Sequence, residues 1–115
     1  QLLLMKASIA VIQPSLFEGW STVVEDSKSL NIPILASEIT VHHEQLKSYP
    51  VYFFFNPDNE EELSECMNAV RNLSTRINYD YEKDVINYAN SFLQIVDSIT
   101  NEWNEIEINE SKSSE

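Results

Sequence analysis

Glycine is nearly absent: the chain holds one among 115 residues, where average usage of about 7% would place roughly eight. That scarcity excludes a glycine-rich phosphate loop and collagen-like or linker-like composition, and leaves few tight left-handed turns. Cysteine is equally scarce. Cys66 stands alone, so neither a disulfide within the chain nor a cysteine metal cluster can form, and a reducing, cytoplasmic setting fits. Basic side chains number seven against nineteen acidic ones, for a net charge of −12. Such a deficit argues against a nucleic-acid binder or a polybasic membrane module. No run reaches the roughly 18–20 apolar residues of a membrane span. Residues 2–12 are apolar apart from Lys6 and Ser8, but they lack the basic leader and cleavage site of a signal peptide.

What is present describes a globular chain of one domain. Hydrophobic residues make up 43% and aromatics 10%, enough for a packed core. Charge is unevenly spread. Residues 1–55 carry three Lys against five carboxylates, and residues 56–115 carry four basic side chains against fourteen acidic ones. A site for an anionic ligand therefore fits the first half better. The opening LLLM without an initiator Met reads as a piece of something longer.

Apolar runs alternate with amphipathic stretches, which predicts an α/β fold. Ser8–Ile12, closed by Pro14, reads as a buried strand, as do Pro33–Ala36 and Val51–Phe55. Between the first two, Thr22–Leu30 reads as a helix with Thr22 and Glu25 as a capping box, ending at Asn31. Strand, helix and strand within about 30 residues make a parallel βαβ unit. Two helices follow. Asp58 and Glu61 suggest a second capping box ahead of the stripe Leu63, Met67, Val70 and Leu73. A longer stripe runs Tyr81, Val85, Tyr88, Phe92, Ile95, Ile99, Trp103 and Ile106, and such a helix must lie against something apolar, within this chain or on a partner domain. The expected domain is 1–108, with a polar tail over 109–115.

Chemistry concentrates in Pro14–Ser37, PSLFEGWSTVVEDSKSLNIPILAS, where the lone Gly19 follows the first strand directly. Ligands of open α/β sheets bind beyond the carboxyl ends of the strands. Glycine there admits close backbone approach or a positive φ. The following helix start offers N–H groups and partial positive charge to a phosphate or sugar oxygen. Glu18 and Glu25 flank the loop and suit neutral hydroxyls, since a carboxylate facing phosphate would repel it. A nucleotide sugar supplies both a diphosphate and hydroxyls.

These residues resemble the donor-binding half of the retaining, GT-B fold glycosyltransferases known as group 1. The resemblance rests on PSLFEG at Pro14–Gly19, Glu25, and IPILAS at Ile32–Ser37. It extends more weakly through VHHEQL at Val41–Leu46 and FFNPDNEEEL at Phe54–Leu63. It implies a Rossmann-like parallel sheet forming the C-terminal part of a donor domain, and a parent enzyme moving a sugar from a nucleotide diphosphate donor to an acceptor hydroxyl with retention. It implies that Glu18 is the catalytic-side glutamate beside the donor sugar. Gly19, Trp20, Ser21 and Thr22 would form the loop meeting sugar hydroxyls and diphosphate, and Glu25 would bind the ribose. Six residues separate Glu18 from Glu25, one fewer than the family pattern, and Ser21 and Thr22 stand where glycine and an apolar residue are common. A one-residue loop deletion explains both.

The family needs no metal or cofactor beyond the nucleotide sugar itself. It commonly uses an Arg and a Lys preceding this segment, with neither at a matching place here. Its acceptor-binding N-terminal domain, through which peripheral membrane association would arise, is absent as well. The chain alone is thus expected to be inactive, with polysaccharide synthesis as the parent's setting. The alternative is a non-catalytic α/β interaction module docking through its acidic helices, and a basic pair upstream of Gln1 would favour the transferase. Simpler readings stand beside these: Glu25 as a cap partner, Trp20 as a core or interface aromatic with only its backbone at the site, Cys66 as a small core residue. His42 and His43 point about 100° apart on a helix and chelate one ion poorly.

Overall fold

The computed structural model describes residues 1–73 and 76–114. Residues Gln1–Tyr81 form one compact unit and the chain from Glu82 onward a second.

The first unit is α/β, as expected. Its elements in chain order are α1 (Leu2–Ala7), β1 (Val11–Gln13), α2 (Thr22–Ser29), β2 (Ile34–Ser37), α3 (Thr40–Leu46), β3 (Tyr52–Phe55) and α4 (Glu60–Arg71). The three strands form a sheet in the order β1-β2-β3. Both pairings are parallel, with Val11 opposite Ile34 and Ile34 opposite Tyr52. Each strand pair is joined through a helix, the connection parallel neighbours require. The arrangement is compatible with a Rossmann-like fold.

β2 is buried along its whole length, as a central parallel strand must be when both faces are covered. Its alternate residues serve opposite faces. Ile34 and Ala36 join Val24, Leu46 and Tyr49, with Tyr52, Phe54, Ile77 and Tyr79 around them. Leu35 faces the other way, toward Phe55 and Val70, flanked by Leu63 and Cys66. α2 lies against α3 and β1, and α4 lies against β3 and β2.

Three boundaries and one burial pattern depart from the sequence reading. The first strand begins at Val11, because residues 2–7 coil into α1, closed by a Ser8 hydroxyl that donates to the Met5 carbonyl. The cap of α2 is Ser21, whose Oγ accepts from the Val24 amide at 3.3 Å, and Thr22 is the first helical residue. Glu25 therefore falls one place beyond the capping-box position, and Thr22 with Glu25 is not a box. The cap of α4 likewise shifts from Asp58 to Asn59, whose side chain accepts from the Glu61 and Glu62 amides. The expected α4 stripe is only partly buried: Val70 is, whereas Met67 and Leu73 are exposed.

α2 ends in a Schellman arrangement: the Ile32 amide donates to the Ser27 carbonyl and Asn31 to Lys28. Asn31 takes the left-handed conformation at φ 57°, a position that asparagine tolerates. Gly19 does not have positive φ, so of its two expected uses only close backbone approach remains. A Cβ there would meet nothing within 4 Å.

The second unit is α5 (Tyr81–Ser113), 33 residues long apart from its first. None of its side chains is buried. Val85, Tyr88, Phe92, Ile95, Ile99, Trp103 and Ile106 are all exposed, so the stripe expected to lie against apolar surface is not buried within the described residues. No helix among those residues is long and apolar enough to cross a membrane.

Candidate functional site

β1 and β2 both end at one edge of the sheet, and the chain leaving them builds the candidate site. Residues 14–21 run from β1 to α2, while Glu38 and Ile39 lead from β2 into α3. Between these two loops lies an open cleft of about 500 Å³, lined by Leu16–Gly19, Glu38–Val41 and Glu44. Three of the lining side chains are carboxylates, and no Lys or Arg lines it. Such a surface accepts hydrogen bonds and favours neutral hydroxyls over phosphates.

Glu18 is the fixed point of the cleft. Its Oε1 accepts from the Gln13 amide nitrogen at the end of β1, and its Oε2 lies 2.9 Å from His42 Nε2. Gln13 also reaches Ser15 Oγ at 3.1 Å. Partial burial would raise the pKa of Glu18, yet hydrogen bonds with His42, Ser15, Gln13 and Ser21 outweigh it. They hold the carboxyl below its ordinary value of 4.5.

His42 is fully buried. Its Nδ1 lies 2.8 Å from the Ser37 carbonyl, which can only accept, so this nitrogen carries a proton and donates. The Ser37 hydroxyl in turn donates to the Ser15 carbonyl, tying the β1 loop to the end of β2. His43 turns elsewhere, to Glu38 at 3.5 Å and onto the Phe54 ring at 4.1 Å between centroids. The two imidazoles share no ligand position, and among the described residues no three His, Cys, Asp or Glu side chains gather around a common point.

Glu25 has three partners. Gln45 Nε2 donates to its Oε1 at 3.0 Å, Lys28 Nζ stands 3.4 Å from the same oxygen, and the Tyr81 hydroxyl donates to Oε2 at 3.0 Å. Lys28, itself buried, donates to the Gln45 carbonyl at 2.9 Å and lies over the Tyr81 ring. Gln45 also clasps the start of α2: its Oε1 accepts from the Ser21 amide and its Nε2 donates to the Ser21 carbonyl, both at 3.0 Å. α3 thus presents two buried polar residues three positions apart, on one helix face. His42 holds Glu18, and Gln45 holds Glu25 and Ser21.

The remaining expected residues are accounted for individually. Gly19 is exposed and lines the cleft. Thr22 is exposed in the first turn of α2. Trp20 is 52% exposed, so it is not a core aromatic of this chain. Cys66 packs beside Leu35, Phe55 and Val70 with its Sγ toward the Phe54 carbonyl. Burial, then Glu62 and Glu65, push its thiol pKa up, the opposite of an activated nucleophile. Sequence reasoning weighed His42 only as a metal ligand and gave Gln45 no role. Their partners lie 20 to 24 positions away, and no local pattern signals such pairing.

Comparison with known proteins gives one relationship. The chain is 27% identical over 94 residues to the O-antigen chain mannosyltransferase RfbU of Salmonella typhimurium, covering 73% of this chain. It spans 26% of that enzyme's length. No protein-family profile matches the chain, and no solved structure does. The similarity supports a glycosyltransferase relationship, and the parallel α/β unit agrees with it.

Proposed function

We propose that residues 1–108 form part of the nucleotide-sugar-binding domain of a retaining, GT-B fold glycosyltransferase, and that Glu18 faces the donor sugar. The observation that carries this reading is the place of Glu18. It sits at the carboxyl end of β1 in an acceptor-rich cleft, in a stretch resembling the donor site of such enzymes and within a chain similar to a mannosyltransferase. Hydroxyls of the sugar would donate to Glu18. The backbone of Gly19, Trp20 and Thr22 would approach the donor at the positive end of α2, whereas Ser21, expected in the same loop, is buried with its amide and carbonyl taken by Gln45 and serves as the helix cap. Glu25, with lone pairs left beside its three partners, would take the ribose hydroxyls.

Catalysis in such a site is mainly orientation of the donor and stabilisation of the departing diphosphate. No cation lines the cleft to meet that charge. We therefore assign transfer to a larger enzyme that adds basic groups and an acceptor-binding domain, and expect the chain alone to bind donor weakly without turnover. No metal or organic cofactor is part of this reading. Polysaccharide synthesis at the cytoplasmic face of a membrane is the setting it suggests.

The test is titration of the chain with UDP-, GDP- and ADP-sugars. Saturable binding of at least one, weakened by Glu18→Ala, supports the assignment. Binding that Glu18→Ala leaves unchanged removes Glu18 from the site. A second reading, an interaction module without catalysis, draws on the exposed stripe of α5; failure of every donor to bind would favour it.

A further inference from the structure

The Glu18–His42 pair has an uneven supply of protons. Glu18 Oε2 and His42 Nε2 are 2.9 Å apart, so one proton lies between them. The other ring nitrogen already spends its proton on the Ser37 carbonyl at 2.8 Å. If Glu18 held the shared proton, its carboxyl would be a donor as well as an acceptor. If His42 holds it, Glu18 is a carboxylate that can only accept. Either form accepts the Gln13 amide N–H at the second oxygen of Glu18. Although partial burial raises its pKa, the hydrogen bonds with His42, Ser15, Gln13 and Ser21 together keep the carboxyl below its ordinary value, which leaves the shared proton on His42. Two donors converging on one carboxyl group favour its ionised form.

We propose that His42 is a positioning residue: doubly protonated and wholly buried, it clamps Glu18 as a carboxylate whose remaining lone pairs face the cleft and receive hydroxyls of a neutral, polyhydroxylated ligand group. The ring cannot swing away, since it is fixed at both nitrogens and has no exposed surface. Ser37 adds a third tie, with its carbonyl on the ring and its hydroxyl on the loop that carries Glu18. The neighbouring carboxylates of the cleft, Glu38 and Glu44, lie outside the clamp, and Glu38 pairs with His43. His42 itself does not line the cleft, so it acts through Glu18. Its ligand rests on the nucleotide-sugar reading, whereas the clamp does not.

Two measurements on the full chain separate the clamp from that reading. Side-chain ¹⁵N–¹H spectra should show protons on both ring nitrogens of His42, and Glu18→Ala should remove the one on Nε2. A ring lacking the Nε2 proton, or one indifferent to Glu18→Ala, overturns the clamp whatever the chain binds. The second measurement titrates UDP-, GDP- and ADP-sugars beside the matching nucleoside diphosphates. His42→Leu should weaken the sugar nucleotide by roughly tenfold while leaving the diphosphate's affinity in place. His42→Gln, which keeps a donor facing Glu18, should recover most of the loss and also serves if His42→Leu fails to fold. Equal weakening of both ligands, or of neither, reduces His42 to a structural residue. If the wild-type chain binds none of them, the nucleotide-sugar reading and its ligand assignment fail, and the spectra alone decide the clamp.

Discussion

At the scale of single residues, the site consists of carboxylates whose partners determine what each can do. Glu18 is held below its ordinary pKa of 4.5 by hydrogen bonds that outweigh its partial burial. A carboxyl whose folded pKa is depressed adds stability above its unfolded value, and loses that contribution as pH falls through the folded value. Acid unfolding should therefore set in at higher pH for wild type than for Glu18→Gln, whose amide has no charge to lose, once both are normalised to neutral pH. Coincident acid transitions would mean that Glu18 gains nothing from its partners. Cys66 gives the converse case. Its raised pKa and its place against Leu35 and Phe55 predict slow reaction with a thiol reagent in the folded chain, and fast reaction in denaturant. Equal rates would contradict its partial burial. Neither His42 nor Gln45 could be assigned from sequence, because both act on partners more than nineteen positions away. That Glu18 and Gly19 fall in the loop beyond the first strand was legible, because strand, loop and helix start lie together within a dozen residues.

At the scale of elements, the second and third strands read well, the first strand and the helix ends less so. Ile34–Ser37 and Tyr52–Phe55 are runs of apolar and aromatic residues that suit a buried parallel sheet, and each lies within a residue of its expected place. The start of α2 was misread because Ser21 and Thr22 are both good caps, and local preference does not choose between them. Tertiary contact does: Gln45 takes both the amide and the carbonyl of Ser21, which keeps that residue outside the helix. Ser21→Ala should consequently cost about 1 kcal/mol of stability, and Thr22→Ala only a few tenths; denaturant melts of the two variants check the order. α1 was missed because six residues form too short a run to carry a helical period. α5 raises the opposite difficulty, since its stripe was easily seen but none of its side chains is buried. Ile34→Ala in β2 should cost roughly 2–5 kcal/mol, whereas Ile99→Ala in α5 should stay within about 0.5 kcal/mol. A comparable loss for Ile99→Ala would show that α5 is buried against something in solution.

At the scale of the whole molecule, an acidic chain with one glycine has built an α/β unit in which three carboxylates, Glu18, Glu38 and Glu44, line a cleft beyond the ends of β1 and β2. Its relationship to a mannosyltransferase covers 73% of the chain but only 26% of that enzyme. Donor binding by this cleft is therefore the part of the proposal that the chain itself can test. The most direct measurement is calorimetric titration of the chain with UDP-, GDP- and ADP-sugars, wild type beside Glu18→Ala. We expect saturable binding of one nucleotide sugar, weakened at least tenfold by the substitution, a loss of about 1.4 kcal/mol. Equal affinity in the two proteins, or no binding of any donor to either, would contradict the assignment of this cleft to a donor sugar.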